Sequence, residues 1–250
     1  MMATDRTSTE KMTTLVQMAE SRLRADIVSG AFTPHQKLRV EELKTRYEVG
    51  ASPVREALSR LIGEGLVTFE GNKGFRVRGL SRDDLADIAY MRTAIETHAV
   101  RSAIERGDAE WEANILASLH RLVRATEGIP ADAANLDAWN AAHDAFHVAL
   151  VGACGSERVF EAQRRLAEQH NRYRRLLMGT SIPRGLIIDE HRALADAALD
   201  RNAERAVDLL RRHMRITSDF YDRVLAGEVE PARTDIAALI PATPPATLLA

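Results

Sequence analysis

Hydrophobic and polar positions along this 250-residue chain change their spacing once, near residue 80. Before that point, helical spacing gives way to two short alternating runs; after it, only helical spacing remains. Leu15, Met18, Ala19, Leu23 and Ile27 share one face of a helix expected over Met12–Ser29, with Gly30 as its stop. Two shorter helices are expected over Val40–Tyr47 and Ser52–Glu64, joined by the turn Glu48-Val49-Gly50-Ala51. Pro53 follows Ser52 as a first-turn proline follows an N-cap. Val67-Thr68-Phe69 and Phe75-Arg76-Val77 read as strands, and Asn72-Lys73-Gly74 makes a tight basic turn between them.

Helix, turn, helix, then hairpin is the order of a winged helix-turn-helix, a module that lays its second helix in the DNA major groove. The candidate DNA contacts are Ser52, Arg55 and Arg60 on that helix and Lys73 and Gly74 in the wing. The alternative for Arg55 is an ordinary surface pair with Glu56 or Glu64.

Gly79-Leu80-Ser81 forms a short joint, and Ser81-x-x-Asp84 resembles a capping box. Helices are then expected at about 83–106, 109–127, 136–154, 157–178, 185–199 and 202–226, separated by Gly107, Gly128-Ile129-Pro130, Gly155, Gly179 to Pro183 and Asp200-Arg201. The expected fold is mainly α: a winged helix-turn-helix domain over 12–79, an all-α bundle over 81–227, and a disordered Pro/Ala/Thr-rich tail over 228–250.

Charge sharpens this division. Residues 1–80 carry a net +3 and the remainder −5, consistent with DNA contact confined to the first part. The single cysteine, Cys154, rules out a disulfide framework. No apolar run approaches the roughly 20 residues of a membrane span, and the first dozen residues lack a signal core. A soluble cytoplasmic protein with no membrane partner is expected.

The chemistry lies on the apolar faces of the bundle helices. His143 and His147 share a stripe with Trp139, Phe146, Leu150 and Cys154; His191 lies among Ile187, Ile188 and Leu194; His213 lies among Ala206, Leu210 and Phe220. Buried imidazoles need hydrogen-bond partners or a metal, and an i, i+4 pair can offer two ligands to one ion. His170, on the stripe of Phe160 and Tyr173, is a rival. His143-Asp144-Ala145-Phe146-His147 carries Asp where the hydrolytic zinc motif needs Glu directly after the first histidine, so hydrolysis is disfavoured. Arg92 and Arg172 are candidate partners for a carboxylate ligand; an internal Arg92–Glu96 pair is the alternative for the former.

These residues resemble a known family. Pro53-Val54-Arg55-Glu56-Ala57-Leu58, then Leu61, Glu64-Gly65-Leu66-Val67 and Gly74…Val77, are similar to the GntR regulators. Arg92…Glu96, Phe146-His147-Val148-Ala149-Leu150, Glu190-His191 and Ala206…His213 resemble the FadR-type (FCD) effector domain. Asp108 to Leu122 and Ala142 to Ser156 most resemble the carbon-starvation-induced regulators of glutarate use. The resemblance implies a homodimeric repressor on an inverted-repeat operator of double-stranded DNA, released by a small carboxylate.

It also implies a divalent metal held by three histidines, here His147, His191 and His213, and an aspartate. His143 occupies the aspartate position. An all-nitrogen set suits Zn or Ni better than Mg. Ala51 and Glu41 stand where arginine-rich members carry basic residues, so the operator sequence does not transfer. The function expected is a ligand-responsive DNA-binding regulator taking a five-carbon dicarboxylate such as glutarate or 2-hydroxyglutarate. The rival classes are a metal-dependent enzyme using the histidines and an architectural DNA-binding protein without effector.

Overall fold

The computed structural model describes residues 3–128, 137–177, 184–226 and 228. The chain divides into two compact units between Leu80 and Ser81. The expected tail beyond Glu228 lies outside the described residues.

The first unit contains α1 (Ala3–Val28), α2 (Val40–Tyr47), α3 (Ala51–Gly63), β1 (Val67–Glu70), a 3₁₀ turn (Gly71–Lys73) and β2 (Gly74–Val77). Val16, Ala19, Leu23 and Ile27 recur at three- and four-residue spacing, and α1 buries that stripe on α3. In turn α3 contributes Val54, Ala57, Leu58 and Leu61 to the same core. The strands are antiparallel, pairing Val67 with Val77 and Glu70 with Gly74. Gly74 has φ +78°, a conformation that favours glycine, so its place in the wing is conformational.

Two local expectations are corrected. Gly50, not Ser52, is the N-cap of α3, so Ser52 lies in the first turn and is exposed there. Residues 35–38, between the first two helices and assigned to no element by the sequence pattern, add a third short edge to the hairpin. His35 N–H donates to Val77 O at 3.1 Å, Leu38 N–H to Phe75 O at 2.9 Å, and Val77 N–H to Gln36 O at 2.9 Å. Gly79 closes the unit against His35; a Cβ there would lie 2.1 Å from the imidazole.

The second unit is helical throughout its described residues: α4 (Arg82–Arg106), α5 (Ala109–Glu127), α6 (Asp137–Val151), α7 (Glu157–Leu177), α8 (Arg184–Leu199) and α9 (Ala203–Leu225). Its starts are chemically marked. Ser81, Asp108 and Asn202 side chains accept from Asp84, Trp111 and Arg205 N–H. The expected capping box has a relayed form: Ser81 N–H donates to Tyr173 Oη at 3.1 Å, and the Tyr173 hydroxyl donates to Asp84 at 2.7 Å. This ties the start of α4 to α7. Ala99, Val100, Ala103, Trp111, Ile115, Phe146, Leu150, Leu194, Ala198 and Leu210 form one apolar core. Beside it, α4, α6, α7, α8 and α9 turn charged and imidazole side chains inward.

Candidate functional site

On the DNA-facing candidates, α3 leaves Ser52, Arg55 and Ser59 exposed on one side while its opposite side packs on α1. The carboxylates that could have tied down Arg55 are occupied: Glu64 pairs with Arg24 at 2.6 Å and Glu56 with Arg60 at 2.7 Å. The Arg55 guanidinium has no hydrogen-bond or ion-pair partner among the described residues. Arg60 differs, since it is held by Glu56 and, at 3.3 Å, by Glu20. Lys73 is exposed at the wing tip and pairs with Glu70 at 2.8 Å, a contact a phosphate could replace.

Four imidazoles converge in the helical unit. His143 and His147 come from α6, His191 from α8 and His213 from α9; all are buried, and one ring nitrogen of each lies within 4.8 Å of the others. Ring centroids are 4.6 Å apart for His143–His147, 5.0 Å for His143–His191 and 4.8 Å for His191–His213. Four nitrogens at about 2.0–2.1 Å from one ion lie within about 4.2 Å of each other, so the cluster needs only a small contraction to close on a metal.

Its hydrogen bonds suit that chemistry. His191 Nδ1 lies 2.7 Å from Ile187 O, and His213 Nδ1 lies 2.9 Å from a Glu190 carboxylate oxygen. Both contacts take Nδ1–H as the donor, which directs Nε2 of each ring away from its partner, as in metal-binding histidines. The Nε2 of His191 and both ring nitrogens of His147 are buried without a partner. Burial and the neighbouring His213 push the His191 imidazole down to about 3. Burial first, then Arg174 for His143 and His143 for His147, hold those two well below the ordinary histidine value. Neutral imidazoles at neutral pH are what a divalent ion binds. The residues therefore fit the metal.

His170 stands apart from this group, with its ring 5.4 Å from that of Tyr221. Its Nδ1 and the Tyr221 hydroxyl are both buried and unpartnered. Burial, then Arg92 and Arg174, keep His170 neutral.

Arg92 takes the internal pairing as its resting partner: its Nε donates to Glu96 at 2.8 Å inside the bundle. No other hydrogen bond engages Arg92 among the described residues, so its two Nη groups remain available to an anion. Arg172 is buried beside Tyr173. The guanidinium that reaches the imidazoles is Arg174, two residues and about 200° further round α7. It donates through Nε to Asn140 at 2.8 Å, through Nη1 to His143 Nδ1 at 2.6 Å and through Nη2 to Asp144 at 2.8 Å. Asp144 also accepts from Asn171 at 2.6 Å, so it is a structural anchor and not a free base. Arg174 and Tyr221 are the members of the site that sequence reasoning did not single out; Glu96 entered it only as the partner of Arg92, and Glu190 only through the resemblance.

Comparison with known proteins matches both units. The FCD domain matches residues 87–216, and the bacterial regulatory proteins of the gntR family match residues 15–77. The chain is 42% identical over 201 residues to the HTH-type transcriptional regulator BphR of Paraburkholderia xenovorans strain LB400, covering 80% of this chain and 82% of that one. It is 38% identical over 209 residues to the HTH-type transcriptional repressor GlaR of Escherichia coli strain K12, covering 82% of this chain and 94% of GlaR. In fold it is similar to E. coli McbR/YncC, with a TM-score of 0.71 at 19% identity over 84% of this chain and 98% of that one. A GntR-type putative regulator from Rhodococcus sp. RHA1 gives a TM-score of 0.68 at 22% identity over 82% and 96%.

Proposed function

The chain belongs to the GntR family of bacterial regulatory proteins and carries an FCD domain, and from that premise we propose that it is a repressor released from its operator by a small dicarboxylate. It is a DNA-binding transcriptional regulator and not an enzyme. No described helix is long and apolar enough to cross a membrane.

In this proposal the first unit reads an inverted-repeat operator as a homodimer, because one recognition helix spans too few base pairs for useful specificity. Arg55, with Ser52 beside it, meets the major groove; Lys73 meets a phosphate from the wing whose turn Gly74 allows. Arg60 supports the exposed face from its pairs with Glu20 and Glu56.

The second unit holds the ligand. The seat of a divalent ion is the cluster of His143, His147, His191 and His213, whose nitrogen donors favour Zn or Ni. Such an ion supplies a cationic anchor for a carboxylate oxygen. Arg92 offers the second cation through its unengaged Nη groups, with the Tyr221 hydroxyl and His170 as further polar groups beside it. Arg172, also buried on α7, is proposed as a further carboxylate partner. Two carboxylates on one five-carbon chain would engage the ion and the arginine together. Glutarate and 2-hydroxyglutarate are the proposed effectors, on the sequence resemblance to regulators of glutarate use.

The observation that carries the proposal is a cluster of four buried imidazoles, in which burial holds His143, His147 and His191 neutral and leaves ring nitrogens of His147 and His191 without a partner, together with a guanidinium whose Nη groups are unengaged. Calorimetric titration of glutarate, 2-hydroxyglutarate, succinate and lactate into metal-loaded protein tests it. The five-carbon diacids should bind most tightly. Tight binding of lactate with none of the diacids would overturn the effector assignment.

A further inference from the structure

The four imidazoles of the cluster are not equivalent, and the difference lies in what stands behind each. A metal-binding histidine commonly donates its other ring N–H to a carboxylate, a carbonyl or water, which fixes the tautomer and aims the free lone pair at the ion. His191 has Ile187 O in that place at 2.7 Å, and His213 has Glu190 at 2.9 Å. His147 has no hydrogen bond, but a Glu96 oxygen lies 3.9 Å from its Nδ1. His143 has a guanidinium: Arg174 Nη1 at 2.6 Å from Nδ1. The Asp144 carboxylate is 3.6 Å from the same nitrogen, beyond hydrogen-bond reach, and is committed to Arg174 and Asn171.

Arginine has five donors and no acceptor. A nitrogen bonded to it must therefore supply the lone pair, so His143 Nδ1 is unprotonated. A neutral imidazole then carries its proton on Nε2, and a protonated nitrogen cannot ligate a metal. Arg174 is itself fixed on three sides, by Asn140, His143 and Asp144, with its guanidinium 5.4 Å from the centroid of the Trp139 ring. Rotating it away would leave a buried cation unpaired, which is strongly unfavourable.

We infer that Arg174 makes His143 a hydrogen-bond donor in this cluster, so that the ion takes its protein ligands from His147, His191 and His213 while the Nε2–H of His143 holds an oxygen of the bound carboxylate. The inference rests on the metal reading above and divides the roles within it. His143 and Arg174 become positioning and specificity-determining residues for an anionic ligand. The site keeps an open coordination position that a fourth imidazole ligand would have filled.

The test uses the full chain with histidines labelled with ¹⁵N. Long-range ¹H–¹⁵N correlation spectra, metal-free and zinc-loaded, report which ring nitrogen of each histidine carries the proton. His143 should show a protonated Nε2 and a bare Nδ1 in both states. A zinc-bound Nε2 on His143 would overturn the inference.

Zinc affinity, read by competition with a chromophoric chelator, supplies the second arm. His143→Gln keeps an N–H near the Nε2 position and should hold zinc within about threefold of wild type. His191→Ala and His213→Ala should each lose more than about 100-fold, beyond the usual range for outer-shell changes. His143→Ala should retain zinc yet bind glutarate about tenfold more weakly, and His143→Gln should restore most of that loss. If wild type takes up zinc and His143→Gln loses as much as His191→Ala, this inference fails alone. If wild type takes up no zinc at all, the metal reading fails, and the ligand assignment with it.

Discussion

The two units bury opposite kinds of side chain. Among the described residues, every buried side chain in the DNA-reading unit is apolar or a tyrosine, from Val16 to Leu80. Every buried polar or charged residue lies in the helical unit: Arg92, Glu96, Asn140, Arg174, four clustered histidines and several more. In the first unit the proposed functional groups stand on the surface, away from the apolar interior. In the second the proposed functional groups are part of the interior. A ligand that must be enclosed requires polar groups inside, and those groups cost stability until it arrives.

The largest separation between the units should come from breaking the Arg92–Glu96 pair. Both side chains are almost fully buried and meet at 2.8 Å. Glu96→Ala leaves Arg92 without its partner and should destabilise the helical unit by about 3–5 kcal/mol, whereas replacing both by apolar residues of similar size should cost far less. In the first unit, Leu58→Ala removes a fully buried side chain of α3 and should cost about 2–5 kcal/mol. Chemical denaturation of the two variants checks both, and zinc should offset the loss only where the imidazole cluster remains intact. Saturation at 100 times the dissociation constant is worth about 2.7 kcal/mol.

Acid should also distinguish the units. The His143, His147 and His191 imidazoles are held below the ordinary histidine range, His191 at about 3. In the unfolded chain they titrate near 6.5. Between these values the unfolded state binds more protons, so the metal-free helical unit is fully stabilised above about pH 6.5 and weakens steadily as pH falls below it. Hydrogen exchange resolved along the chain, at pH 7.5 and 5.5, should show the loss concentrated in residues 81–226. Equal loss in both units would contradict this assignment of the acid-sensitive groups.

Smaller effects are expected on the DNA side. Arg55→Ala should cost about 1–3 kcal/mol of operator affinity if the guanidinium meets a guanine, with little change in fold stability. Lys73→Ala should weaken binding to all sequences alike and lower the salt slope by about 1. Anisotropy titrations across a salt series separate the two.

What could be read in advance follows the same contrast. The helical boundaries were legible because the signals that separate helices are local: Ser81 caps α4 through its own side chain and Gly107 ends it, whereas Asn202, read as helical, proves to be the cap of α9. The histidine cluster was legible because each member repeats on an apolar stripe of its own helix. Arg174 was not. On α7, Asn171, Arg172, Tyr173 and Arg174 are consecutive and all buried, so the helix is enclosed on every side there and no stripe marks one face. Tyr221 reads as ordinary core until its hydroxyl is seen to lack a partner. Gly50 displaced Ser52 as the N-cap because capping depends on where the backbone turns, which residue type alone does not decide.

Operator binding by metal-loaded protein, followed by fluorescence anisotropy while glutarate is added, tests the coupling between the two units most directly. An effector shifts the equilibrium only by its difference in affinity for the bound and released states, and a tenfold loss of operator affinity corresponds to about 1.4 kcal/mol of coupling. Glutarate or 2-hydroxyglutarate should weaken the operator complex at least tenfold, and chelation of the metal should abolish that response. An operator complex unchanged by saturating diacid, with diacid binding verified in the same sample, would contradict the proposed switch.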